Sequence, residues 1–220
     1  LIDLYINPAI RVMVNTARDT QDLDSVAVLL ANMPVINMLN TRHIIYDPND
    51  ASLINSWAAG NAWFVREVEL AGSADEEILA LETLDLYEKA IVYKDFYTSL
   101  PTTRFDPGNG HRIELISYTP NHLSYEFSAD SEQMVVFSEI FYPQGWQAYL
   151  NGNPVGHFRA NYILRAMIVP AGEHEIEFRF SPKSYYLGIR VSLVFSLLLS
   201  LIIIGYIGYH IHRQVKSKQE

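Results

Sequence analysis

AGEHEIEFRF, residues 171–180, alternates without a break. His174, Ile176, Phe178 and Phe180 share one face, and Glu173, Glu175, Glu177 and Arg179 share the other. Successive side chains of a strand point to opposite sides, so this stretch predicts a half-buried antiparallel strand with one wet face. The same period of two recurs upstream. Leu123, Tyr125 and Phe127 alternate with polar residues, and Met134–Phe141, Trp146–Leu150, Val155–Phe158 and Tyr162–Val169 are further strand-like runs. Asn151-Gly152 is a hairpin signal, and Pro143-Gln144-Gly145 and Pro170-Ala171-Gly172 are turns. About seven short strands between His111 and Phe180 predict an antiparallel, jelly-roll-like β-sandwich over residues 111–186.

Downstream the period vanishes and polarity with it. Between Leu187 and Tyr209 the only charge is Arg190, and Val191–Ile204 reads VSLVFSLLLSLIII. A helix over residues 187–209 rises about 1.5 Å per residue, about 34 Å in all, enough to cross a hydrocarbon core of about 30 Å. The rival reading is a buried core helix, which would be shorter and would carry a polar stripe. The tail 210–220 carries Arg213, Lys216 and Lys218, whereas the region before the helix is acidic. The positive-inside rule therefore assigns the tail to the cytoplasm and residues before 187 to the extracytoplasmic side of a cell membrane. Tyr185, Tyr186, Tyr206 and Tyr209 sit where interfacial aromatics belong. Arg190 can snorkel to the outer headgroups. Tyr185, Tyr186, Arg190, Tyr209 and Arg213 are the candidate membrane-interface residues.

Upstream of the strands the pattern is mixed. Leu23, Val26, Leu29 and Leu30 have helical spacing, and Pro34 starts a short helix through Leu39. Thr41–Tyr46 reads as a strand closed by Asp47-Pro48. A loop through Gly60-Asn61 follows, and Trp63-Phe64-Val65 continues into Val68 and Leu70 as another strand. Ser73-Ala74-Asp75-Glu76 is a capping box, with Asp75, Glu76 and Glu77 at the positive end of the helix dipole, and Lys89–Tyr93 returns as a strand. Residues 1–98 thus predict a small α/β unit. The turn-rich stretch Tyr97–Gly110 supplies a linker, drawn at 99–110. The overall expectation is an α+β protein: α/β unit, sandwich and one transmembrane helix. Leu1 opens an apolar stretch (LIDLYI) without initiator Met, basic segment or cleavage site. It does not read as a signal peptide, and the expectation is a piece of a longer protein.

Charge narrows the partners. The net charge is −9: residues 1–186 carry 12 Lys/Arg against 24 Asp/Glu, and residues 187–220 carry four against one. An acidic domain repels phosphate backbones, so nucleic acid is not an expected partner. With no cysteine there is no disulfide, thiolate metal site or Cys nucleophile. No nucleophile elbow, P-loop or glycine-rich dinucleotide fingerprint is present. His210 and His212, two apart on a helix, face different ways and do not share one metal. No catalytic residue, metal site or cofactor is expected. Aromatics near turns are candidates for stacking on sugar rings, namely Trp63, Trp146, Tyr149 and Tyr162. Each competes with a plain core role, and Trp146 in particular reads as structural.

Ser138–Leu193 (SEIFYPQGWQAYLNGNPVGHFRANYILRAMIVPAGEHEIEFRFSPKSYYLGIRVSL) resembles the C-terminal part of bacterial YfhO-type membrane proteins, a multi-spanning group with membrane glycosyltransferases of the GT-C kind. Asn37–Tyr46 (NMLNTRHIIY), Gly60–Val65 (GNAWFV) and the Ser-Ala-Asp-Glu-Glu helix start resemble further blocks of that family, in the same order. The resemblance implies an ectodomain joined to a larger transmembrane bundle, with polyprenyl-phosphate sugars as donors and a cell-envelope glycan or polymer as acceptor. The acidic catalytic residue of such enzymes lies in an early extracytoplasmic loop with no counterpart here. The resemblance thus implies an accessory, acceptor-positioning role. The alternative is a non-catalytic glycan-binding or structural ectodomain. Expected partners are the lipid bilayer, the remaining transmembrane bundle and an envelope glycan.

Overall fold

The computed structural model describes residues 1–20, 23–45, 49, 52–96, 102–106, 108 and 110–217; the side chains of 17–20, 23–25 and 210–217 are outside the description. Two compact units result, Leu1–Phe180 and Ser181–Glu220.

The first unit opens with a π-helical turn (Ile2–Ile6) leading into α1 (Asn7–Thr20), then α2 (Leu23–Leu30) and α3 (Pro34–Met38), where Pro34 begins the helix as its fixed φ allows. β1 (His43–Ile44) and β2 (Leu53–Ile54) form a small antiparallel pair. Of the strand expected over Thr41–Tyr46 only β1 forms. Tyr46, Asp47 and Pro48 lie outside the described residues. β3 (Ala62–Val65), β4 (Glu67–Ala71), α4 (Ala74–Leu79) and β5 (Lys89–Tyr93) follow, with β4 and β5 parallel across the α4 crossover. The single strand expected through Trp63–Leu70 is two strands in different sheets. Arg66 N and Glu67 N both donate to Glu88 O, at 3.1 and 2.8 Å, so the backbone turns between them from one sheet to the other. The capping box forms in altered shape. Ser73 Oγ accepts Glu76 N at 3.1 Å, but the Glu76 carboxylate accepts Gly72 N at 2.6 Å instead of the Ser73 amide.

Eight antiparallel strands follow: β6 (Arg112–Thr119), β7 (His122–Ala129), β8 (Gln133–Ile140), β9 (Trp146–Leu150), β10 (Asn153–Val155), β11 (Phe158–Ala160), β12 (Leu164–Val169) and β13 (Gly172–Phe180). One sheet has the order β10-β9-β13-β7-β6, the other β11-β12-β8-β3. Leu123, Tyr125, Phe127, Ile176 and Phe178 of the first sheet pack with Phe64, Val135, Phe137, Met167 and Val169 of the second, and so build the expected sandwich. Gly145, before β9, has to lack a side chain, because a Cβ there would run into the Phe180 ring.

β8 and β12 carry apolar residues on both faces, at Met134–Phe137 and Ala166–Val169, because both of their faces are covered. Met134, Val136, Leu164 and Ala166 face away from the sandwich core into a second cluster with Leu81, Ile91, Val92 and Trp63. The α4–β5 region is therefore a third layer over the β3-containing sheet. Contacts thus cross the division drawn between 1–98 and 111–186. β3 lies before that boundary yet pairs with β8, Trp63 opposite Val136, and Leu1–Phe180 is one packing unit. Residues 97–101, 107 and 109 of the expected linker lie outside the described residues.

The second unit is α5 (Lys183–Ser217). Its stretch Lys183–Tyr209 contains an 18-residue window of mean hydropathy 2.5, none of it buried inside the protein, so it is long and apolar enough to cross a membrane. Ser200 Oγ donates to Ser196 O at 2.8 Å, which satisfies the hydroxyl within its own helix.

Candidate functional site

A cleft of about 580 Å³ opens between the α2–α3 corner and the turn that precedes β5. Asn37 and Asn55, both buried, shape its first wall. Asn37 Nδ2 donates to Leu30 O at 2.7 Å, Asn55 Nδ2 donates to Asn37 Oδ1 and to Thr41 O at 2.9 Å each, and Asn55 Oδ1 accepts Trp57 N at 3.0 Å. With Ala59 N bonded to Asn37 O at 3.0 Å, both ends of the short loop are fixed. Its tip presents Trp57, 55 % exposed. The second wall runs from Glu82 to Tyr87. Asp85 Oδ1 accepts Tyr87 N at 3.1 Å and Glu88 N at 3.4 Å, an Asx turn that presents Tyr87, also 55 % exposed. Trp57, Tyr87, Glu82 and Asp85 thus line one groove. That is the composition of a site for a polar ligand with flat apolar faces.

The aromatics singled out from sequence lie elsewhere. Trp63 is 4 % exposed and packs in the core. Trp146 is half-buried at the end of the sandwich, with the Arg165 guanidinium 4.2 Å from its ring centre and Phe180 at 5.3 Å. Tyr149 lies under the Arg179 guanidinium at 4.4 Å, and its hydroxyl donates to Gln147 Oε1. Tyr162 packs against the second cluster with Arg159 at 5.4 Å from its ring. These four do not form one site. Sequence reasoning misses Trp57 and Tyr87, although each stands in a polar, turn-forming segment where an aromatic has no strand to pack in. On α5, Tyr185 and Tyr186 are exposed and in edge contact at 5.5 Å, and Arg190 and Tyr209 are exposed. The Arg213 side chain, like those of His210 and His212, lies outside the described residues. Among the described residues no group of His, Cys, Asp or Glu is placed to hold a metal.

A polar knot is buried at the Trp146 end of the sandwich. Arg165 is 2 % exposed, and its Nε donates to Ile140 O at 3.0 Å. Burial pushes its guanidinium below its ordinary value, and Glu139 opposes that shift. Burial, with the nearby Arg165 charge, holds His157 down at about 4. The unfolded imidazole takes up its proton near pH 6.5. A base depressed in the folded state contributes stability that is complete above the unfolded value. It is lost as pH falls from about 6.5 through about 4. Thermal melts of wild type and His157→Gln should therefore diverge least at pH 4.5 and most at pH 7, with about 2 kcal/mol of acid sensitivity removed in the variant. Parallel pH profiles would contradict the assignment.

Residues 96–192 match the family model described as bacterial membrane protein YfhO. The matched stretch spans β6 to β13 and the first turns of α5, and the cleft lies N-terminal to it. No curated protein and no solved structure matches the chain.

Proposed function

We propose, on the premise of a YfhO-type membrane protein over residues 96–192, that Leu1–Phe180 is an extracytoplasmic accessory domain. It holds an envelope glycan or polymer for a glycosyltransferase that uses lipid-linked sugar. The observation that carries this reading is the cleft between Trp57 and Tyr87. It offers ring faces and hydrogen-bonding groups to a polyhydroxylated ligand. The apolar α5 and its basic end, Arg213 and Lys216 against the acidic region before it, support anchoring in the bilayer with the tail in the cytoplasm. The same cleft serves the second reading, a glycan-binding ectodomain whose parent transfers nothing. Transfer chemistry is assigned to a partner region of the parent protein.

Calorimetric titration of the detergent-solubilised chain with fragments of envelope glycan tests the reading. Trp57→Ala should weaken binding about tenfold, with an unchanged melting temperature, because the ring is exposed and its removal opens no core cavity. Equal affinities for wild type and Trp57→Ala would remove the cleft from consideration.

A further inference from the structure

Resting on the glycan-binding reading, we infer that the cleft takes the uncharged sugar rings of its ligand, more than one at a time, and rejects phosphate-bearing stretches of a polymer. Three features of the groove converge on this. First, its charged lining is anionic: among the described residues Glu82 and Asp85 line it, and no Lys, Arg or His does. A phosphodiester would meet two carboxylates without a compensating cation, in a domain region that is already strongly acidic. Second, the unmet hydrogen-bonding capacity is of one kind. Asp85 uses Oδ1 for the amides of Tyr87 and Glu88, which leaves Oδ2 for a ligand, and the Glu82 carboxylate accepts no donor among the described residues. Ionised carboxylates only accept, so the ligand has to bring donors. Vicinal hydroxyls of a pyranose do so, and a phosphodiester brings none. Third, Trp57 and Tyr87 stand on separate segments, one on each wall. Each is more than half exposed, and a groove of about 580 Å³ has room for more than one pyranose, so an oligomer reaches both rings where a monosaccharide fills only part of the groove.

The test titrates the full chain in detergent with cellotetraose, β-1,4-galactotetraose, glucose, galactose and a glycerol-phosphate hexamer. The expected result is a tetrasaccharide at least tenfold tighter than its monosaccharide and than the phosphate oligomer. Glu82→Gln combined with Asp85→Asn should weaken the tetrasaccharide about tenfold, because charge-assisted acceptors become neutral while the amide introduced at position 85 keeps the turn-forming oxygen. Trp57→Ala and Tyr87→Ala should each erase the tetrasaccharide advantage over the monosaccharide. If the phosphate oligomer binds as tightly as the sugars and Trp57→Ala still weakens both, the ligand class is overturned and the cleft stands as the binding site. If no probe binds, or none responds to Trp57→Ala, the site itself falls with the inference.

Discussion

Glu77→Ala is expected to lower the stability of the Leu1–Phe180 unit by about 4 kcal/mol, which for a unit of this size is about 10 °C in melting temperature. Glu77 lies in the first turn of α4 with no exposed surface. Its Oε2 accepts Arg159 Nη2 at 2.6 Å, and its Oε1 accepts the Tyr162 amide at 2.9 Å. Burial raises the carboxyl above its ordinary value, and Arg159 and the amide pull it partly back by holding the ionised form. Arg159, laid over Phe96 at 4.6 Å, cannot leave for water without abandoning that ring. Deleting the carboxylate therefore strands a mostly buried guanidinium and a backbone donor together. Asn161 and Tyr162 both take positive φ, +48° and +71°, a conformation a tyrosine rarely adopts, and the Glu77 bond helps to hold it. Adding Arg159→Met to Glu77→Ala should restore about half of the loss by removing the stranded charge. A double variant no more stable than the single one would show that the pair does not act as a pair.

Trp146→Ala is the second large effect, about 3–4 kcal/mol. The indole is only partly buried, so the packing loss alone is smaller than for a central aromatic. What adds to it is Arg165, whose buried guanidinium lies over the indole at 4.2 Å and over Phe178 at 5.0 Å. Losing the first face leaves that charge against a cavity. Trp146→Phe should recover part of the loss, since a smaller ring still covers the guanidinium. Glycan titration of the same variant separates structure from binding: a normal melt with lost binding would make Trp146 a sugar contact after all.

What the sequence discloses follows from what periodicity can encode. The alternation from Glu173 to Phe180 is local, and β13 forms where it predicts, with Ile176 and Phe178 inward. The apolar span of α5 is equally local. Pairing partners are not. Nothing in Ala62–Val65 names Met134–Phe137 as its neighbour, so from sequence β3 groups with the strands adjacent to it along the chain. Glu77 sits beside Asp75 and Glu76 at a helix start, where acidic residues normally serve the dipole. Only Arg159, far along the chain, makes it a buried ion. Arg165 does carry a signal, a charge inside the apolar run Tyr162–Val169, because a cation there has either to be neutralised or to stack. The cleft escapes a sequence reading for a different reason. Periodicity draws attention to aromatics near the strongest strands, whereas Trp57 and Tyr87 are displayed by asparagine and aspartate turns.

The pairing of β3 with β8 also has a timetable. Trp63 waits for Val136, 73 residues further along, before its strand acquires a hydrogen-bonding neighbour in the sheet. At the usual pace of synthesis, roughly 5–20 residues per second, that is an interval of about 4 to 15 s. During it a four-residue apolar edge, Ala-Trp-Phe-Val, is available to any other extended chain. The three-layer packing that makes β8 dry on both faces thus leaves the newborn chain dependent on late contacts. A nascent chain stalled between β3 and β8 presents its stickiest segment with no resident partner.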